Sequence, residues 1–229
     1  MKRFWAGVSA VAEDGGHGVR LDGRPVRTPA RAALLLPTAA LAEAVAGEWR
    51  AVEGAVDPER MPLTGIANAA IDLVTPDPAA FAARLAAYAE TDLLCYRADQ
   101  PDALAGQQAL IWEPPLTAVE RLLGGAFLRT AGIAHVAQPP ETLEKVRARF
   151  AGYGPHRLAA LDPIVTITGS AVLGIALAEG LAEADDAFEA SVLDELWQEE
   201  RWGADDEALA LRKRRRALFD AAALFLARA

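Results

Sequence analysis

The stretch "TPDPAA", Thr75–Ala80, separates two kinds of sequence pattern. Before it, short apolar runs are cut at turn-forming pairs. "FWAGVSAV" ends at "EDGG", "HGVRLDG" ends at Asp22-Gly23, "RPVRTP" follows, and "AALLLP" closes at Pro37. Runs of this length with Asp-Gly between them predict β-hairpins. The pattern then changes. Thr38 is placed to cap a helix over "AALAEAVAGEWRAV", with Leu41, Val45, Glu48 or Trp49, and Val52 three or four apart. "PLTGIANAAIDLV" predicts a second helix with Pro62 in its first turn.

Beyond the linker nearly everything reads as helix. Asp77-Pro78 supplies an N-cap and first residue for a helix carrying Phe81, Leu85 and Tyr88. Leu104, Leu110, Trp112, Leu116, Leu122 and Leu123 mark a further helical stretch, with an interruption expected at Pro114-Pro115. Leu143, Val146 and Phe150 mark another. Later helices are expected over Pro155–Ile167, Ser170–Leu181, Glu183–Trp202 and Asp205–Leu226. No internal repeat is visible. The fold class is therefore α+β: a small N-terminal α+β domain with hairpin strands, residues 1–76, followed by a larger C-terminal helical bundle, residues 77–229.

The chain has 229 residues, of which 52% are hydrophobic, enough for a sizeable core. Its net charge of −9 disfavours a duplex nucleic-acid partner and suits a partner with a basic surface. The single cysteine, Cys95, forms no internal disulfide and fits a reducing compartment. The opening "MKRFWAGVSA" does not read as a signal or transit peptide, and no run of about 18 apolar residues lacks charges or breakers. A cytoplasmic protein without a membrane span is expected.

Enzymatic signatures are missing. There is no GxxxxGK[ST] loop, no G-x-S-x-G elbow and no H-E-x-x-H. "GGHG" at Gly15–Gly18 sits between strands and reads as a hairpin loop. His17, His135 and His156 lie in unrelated segments, so no metal site and no cofactor are expected. Cys95 lies among Leu93, Leu94 and Tyr96 and reads as a buried, unreactive thiol. The basic run Arg212–Arg216 reads as a solvated helix face paired with the upstream acids Asp205, Asp206 and Glu207.

The most unusual segment is "SVLDELWQEERWG", Ser191–Gly203, with four carboxylates and two tryptophans. On a wheel of about 100° per residue starting at Ala184, Phe188, Val192 and Leu196 fall at roughly 40°, 80° and 120°. Glu195 and Glu199 fall inside or beside that apolar stripe, and Asp194 points away. A carboxylate on an apolar face must find a partner or raise its pKa. Three roles fit: an internal ion pair with a neighbouring helix, a pair of catalytic carboxylates, or a face that docks a partner through tryptophan and acid.

Several segments, taken together, resemble one family. They are "RFW", "LDGRPVRTP", "LPTAALAEAVAGEW", "MPLTGIANAAID", "TDLLCYRA", "ALAEG" and "LDELWQEERWG", in the same order over nearly all the chain. They resemble the ATP-twelve family of ATP synthase assembly chaperones. The resemblance implies a non-enzymatic protein that binds the free alpha subunit of the catalytic head. It would shield that subunit's subunit-facing surface until the beta subunit takes its place. It also implies a bacterial, cytoplasmic member, monomeric when free. The family's functionally important acid aligns with Glu195. The expected partner-binding residues are Glu195, Asp194, Glu199 and Trp202, with no catalytic residue. The family often carries an apolar residue where Glu199 stands, which weakens a required pair of carboxylates. Trp49 and Asp92 read as structural, with Asp92 pairing Arg97. The rival reading is a small acidic enzyme with a carboxylate site around Glu195 and Glu199.

Overall fold

Asp-Gly pairs tolerate positive φ at low cost, and that freedom shapes the first sheet. The computed structural model describes residues 2–229. Strands β1 (Val8–Glu13) and β2 (Gly16–Leu21) pair antiparallel from Val8–Leu21 to Glu13–Gly16, leaving a two-residue turn at Asp14-Gly15. Asp22 (φ 48°) and Gly23 (φ 79°) make the next turn into β3 (Arg24–Pro25), with Leu21 opposite Arg24. Strand β4 (Leu35–Leu36) pairs with β2 at Gly18 and His17. The Asp22 carboxylate also accepts from the Gly7 and Ala6 amides, which holds it below the usual carboxylate range.

Helix α1 (Ala39–Ala51) begins as expected. Thr38 is extended, and its Oγ1 accepts from the Leu41 amide at 3.2 Å. The stripe Leu41, Ala42, Val45, Ala46 and Trp49 is buried, and the helix packs on β1 and β2. Trp49 meets Trp5 edge-on at 5.3 Å, and Trp5 Nε1 donates to the Trp49 carbonyl. Glu48, beside it, caps helix α2 (Pro62–Ala69). The N-cap residue Met61 offers no side-chain acceptor. Glu48 Oε1 accepts from the Leu63 amide at 2.7 Å, and Oε2 accepts from the Thr64 amide and hydroxyl at 2.8 and 2.7 Å. The helix then widens into a π-type turn, Ala70–Val74, closed by the Thr75 amide and hydroxyl on the Ala70 carbonyl.

The chain forms two compact units. One comprises Met1–Pro78, Gly154–Ala160 and Ala221–Ala229; the other comprises Ala79–Tyr153 and Leu161–Asp220. In the first, His156 Nε2 lies 3.1 Å from the Leu35 carbonyl and its ring stacks on Phe225.

The second unit is helical apart from a two-residue parallel pairing of β5 (Tyr96–Arg97) with β6 (Thr130–Ala131). Its helices are α3 (Pro78–Ala86), α4 (Asp102–Leu123), α5 (Pro140–Ala151), α6 (Pro155–Thr168), α7 (Ala171–Ala178), α8 (Ala184–Ser191), α9 (Leu193–Trp202) and α10 (Asp206–Arg228). The terminal part of α10 and the start of α6 belong to the first unit. Helix α7 is apolar all round, and Ala171–Ala176 are all buried. A short helix with no polar face belongs in a core, and α4, α5 and α8 pack around it. At Gly174 an added Cβ would come 2.6 Å from Val165 Cγ2, so glycine permits the close approach to α6.

Two expectations need correction. First, α4 runs unbroken through Pro114-Pro115. Each interior proline costs roughly 3 kcal/mol in an isolated helix. Here Trp112 and Leu116 are fully buried on either side of the pair, and Trp112 Nε1 donates to the Ala190 carbonyl at 2.8 Å. Tertiary anchoring outweighs local propensity. Second, Glu183–Trp202 is two helices. Val192 leaves the α region (φ −109°, ψ 10°), and its amide is shared between the Phe188 and Glu189 carbonyls. Beyond it Leu193 and Trp197 are buried, whereas Leu196 is exposed. The buried face therefore turns by about 100° at the break.

The cap on α2 can be checked by urea denaturation. Glu48→Ala leaves three donors without their acceptor and should cost about 1–3 kcal/mol, with Glu48→Gln losing less. An unchanged midpoint for Glu48→Ala would show that the cap contributes nothing.

Candidate functional site

The turn of the buried face at Val192 decides where the acids of α9 point. Asp194 lies toward the interior. Gln108 Nε2 donates to its Oδ1 at 2.8 Å, while Gln108 Oε1 accepts from the Ala98 amide at 2.7 Å. Asp194 therefore does not point away, as a continuous helix implied. Gln108 itself is 1% exposed. It stands at the i−4 position to Trp112 on the buried stripe of α4, and a polar residue in that register was the signal for it.

Glu195 is off the core and meets α10. Arg215 Nη2 lies 2.6 Å from its Oε1 and 2.7 Å from its Oε2, and Arg212 Nη1 stands 4.0 Å from Oε2. Glu199 takes a close contact from Arg212 Nη2. Two acids and two arginines alternate along the facing helices. The Glu195 side chain is still 41% exposed, and Arg215 Nε is buried with no hydrogen-bond partner. The ion pair is thus incomplete on both sides. Around it lies a groove of about 440 Å³ that includes Gln198, Trp202 and Leu211. Trp202 is 78% exposed, while Trp197 is buried under the Arg201 guanidinium, 4.0 Å from its ring centroid.

The basic run is placed differently from expectation. Arg216 contacts Asp185 of α8 and Asp220. Asp205 caps the Glu207 amide instead of pairing with the run. Arg212 and Arg215 precede the buried Phe219 by seven and four residues. They share its helix face, which was the sequence sign that they point at a neighbour.

"TDLLCYRA" forms a second cluster. Asp92 is fully buried and does not pair with Arg97. Its carboxylate accepts from the Leu94 amide at 3.1 Å, the Ser170 hydroxyl at 2.7 Å and the Val172 amide at 3.0 Å. Ser170 is the N-cap of α7, so Asp92 serves that helix terminus. Burial nevertheless pushes its pKa up to about 6. Arg97 instead donates to the Leu94 carbonyl and to Glu113, with its guanidinium over Trp112. Arg129 joins Glu113 to Glu120. Burial pushes the Cys95 thiol up to about 12, as expected of an inert cysteine. Among the described residues no group of His, Cys, Asp and Glu is arranged to hold a metal ion, and no helix is long and apolar enough to cross a membrane.

The fold has counterparts among known proteins. The model of the ATP12 chaperone protein family matches residues 2–120, more than half of the chain. Atp12 from Paracoccus denitrificans superposes with a TM-score of 0.94 at 45% identity, covering 99% of this chain and 97% of that one. A mutant of that protein gives the same TM-score at 44% identity and the same coverage. "Protein atp12, mitochondrial" of Schizosaccharomyces pombe is 24% identical over 219 residues, 90% of this chain and 75% of that protein. The chain belongs to the ATP12 family of chaperones, which serve ATP synthase assembly.

Asp92 gives a pH-dependent signature. A carboxyl that ionises less readily folded than unfolded supports folding below about pH 4, and its contribution declines as pH rises to about 6. The stability difference between wild type and Asp92→Asn, in which other titrations cancel, should fall across that window by on the order of 3 kcal/mol. A difference independent of pH would show that Asp92 does not titrate there.

Proposed function

We propose that the chain binds the free alpha subunit of the ATP synthase catalytic head and shields its subunit-facing surface until the beta subunit replaces it. A free subunit exposes apolar surface that its neighbour normally covers, which is an aggregation hazard. The observation that carries the reading is the α9–α10 groove. It offers a highly exposed tryptophan, Trp202, beside two part-exposed carboxylates, Glu195 and Glu199. Tryptophan supplies an apolar anchor and the acids receive arginine. Asp194, tied to Gln108, holds α9 in place for them.

The mechanism on this reading is non-enzymatic, and the chaperone acts as a monomer in the cytoplasm. Release follows from competition by the beta subunit. The rival reading, a carboxylate enzyme at Glu195 and Glu199, is disfavoured because each acid is matched to an arginine of α10.

The two roles of Glu195, internal ion pair and client contact, can be separated by a charge swap. Glu195→Lys alone sets a cation against Arg212 and Arg215 and should lower the melting temperature by a few degrees. Glu195→Lys with Arg215→Glu restores an internal pair and should recover most of that loss. Client capture should stay poor in both, by about 2–5 kcal/mol, because the acid presented to the client is gone. Glu195→Gln should be milder. The measurement is melting temperature and capture of purified alpha subunit on the same preparations. Wild-type capture by the swapped protein would remove Glu195 from the docking surface.

A further inference from the structure

A second groove of about 350 Å³ lies between α4 and α8, with Leu173 of α7 in its floor and Ile111, Pro114 and Pro115 along one wall. Its chemistry is one-sided. Asp186 and Glu189 of α8 line it, both exposed, and neither makes an ion pair among the described residues. Their neighbour Asp185, by contrast, is matched to Arg216. The groove therefore presents negative charge beside apolar surface, and no lysine or arginine lines it. Apolar surface continues at its margins: Leu110 is 76% and Leu181 41% exposed.

We propose that this groove docks a cationic and apolar segment of the client, an aliphatic or aromatic side chain flanked by a lysine or arginine. The proposal rests on the chaperone reading above and adds to it a contact surface away from Glu195. The apolar anchor fills the space over Leu173 and Ile111. The adjacent cation meets Asp186 and Glu189. Unpaired acids at a rim also steer a basic partner during encounter, with a strong salt dependence. The client supplies the cation that the fold leaves out.

The test uses the full chain with purified alpha subunit and, separately, purified beta subunit, in capture assays across a salt series. Asp186→Lys with Glu189→Lys should reduce capture of the client at least about tenfold and flatten its salt dependence. Ile111→Glu should reduce it similarly. Glu144→Lys, a charge reversal at an exposed acid of α5, should leave capture unchanged. Asp186→Asn with Glu189→Gln keeps shape and covers the case where the lysine variants melt early; it should still lose part of the salt dependence. Normal capture by these groove variants, with wild type active, overturns the groove alone. A wild type that captures neither subunit overturns the chaperone reading and the groove with it. A chaperone dimer that dissociates in the lysine variants makes a second copy the occupant and overturns the assignment to a client.

Discussion

The helical unit depends on a buried carboxylate. Asp92 is wholly inside the protein, yet it collects the Leu94 and Val172 amides and the Ser170 hydroxyl at the start of α7. An eight-residue helix is too short to persist alone. Helix α7 is also apolar on every side, so only complete enclosure makes it favourable. Asp92 fixes where that helix starts and satisfies amides that would otherwise be buried unpaired. The Leu93 amide, bonded to the Gly169 carbonyl, ties the same strand of chain to the other side of the cap. Leu173, in the floor of the α4–α8 groove, sits in the first turn of this helix, its amide donating to the Ser170 hydroxyl. The cost of ionising a buried acid is thus borne where it sets the position of a core helix and of a surface feature above it.

The second constraint is the break at Val192. A continuous helix from Glu183 to Trp202 would have laid Glu195 beside Phe188 and Val192. With the chain re-phased, Leu193 and Trp197 take the core positions and Asp194 reaches Gln108. Glu195 and Glu199 then face Arg215 and Arg212. Half-exposed ion pairs of this kind contribute little stability singly, about 0–1 kcal/mol. Their alternation does hold α9 against α10 in one register, and it keeps a row of acids at the mouth of a groove without leaving them unmatched.

Much of this was legible in the sequence where the physics is local. Asp22-Gly23 specifies a turn by its own backbone, Thr38 a cap by its own hydroxyl, and the Leu41–Val45–Trp49 spacing a buried stripe. The misses share one cause, which is tertiary contact. Pro114-Pro115 reads as a helix break until Trp112 and Leu116 are seen anchored on both sides. Val192 carries no breaker signature, since its departure from helix is imposed by the packing of Phe188 before it and Leu193 after it. Asp92 and Arg97, five residues apart, invite pairing, but each finds a better partner distant in sequence: Ser170 for one, Glu113 for the other. Glu48 looked like a possible stripe position and is instead the cap of a helix that starts fourteen residues later.

Occupancy of Glu195 by Arg215 bears on how a chaperone of this kind could let go of its client. A carboxylate left bare would bind an incoming guanidinium strongly, because nothing would be displaced except water. On the proposed reading an arginine from the client takes the place of one from α10, so the charge-assisted bonds gained and lost nearly balance. Arg215 does not use its acid fully: a single nitrogen serves both oxygens, and Nε is buried without a partner. An incoming side chain that presents two nitrogens side by side gains in geometry what it cannot gain in charge. On that reading the remaining affinity comes from apolar burial at Trp202, which scales with the area that a client covers. A complex of the proposed kind would discriminate through shape and hold with moderate strength, and a partner subunit covering more of the same apolar surface would displace it.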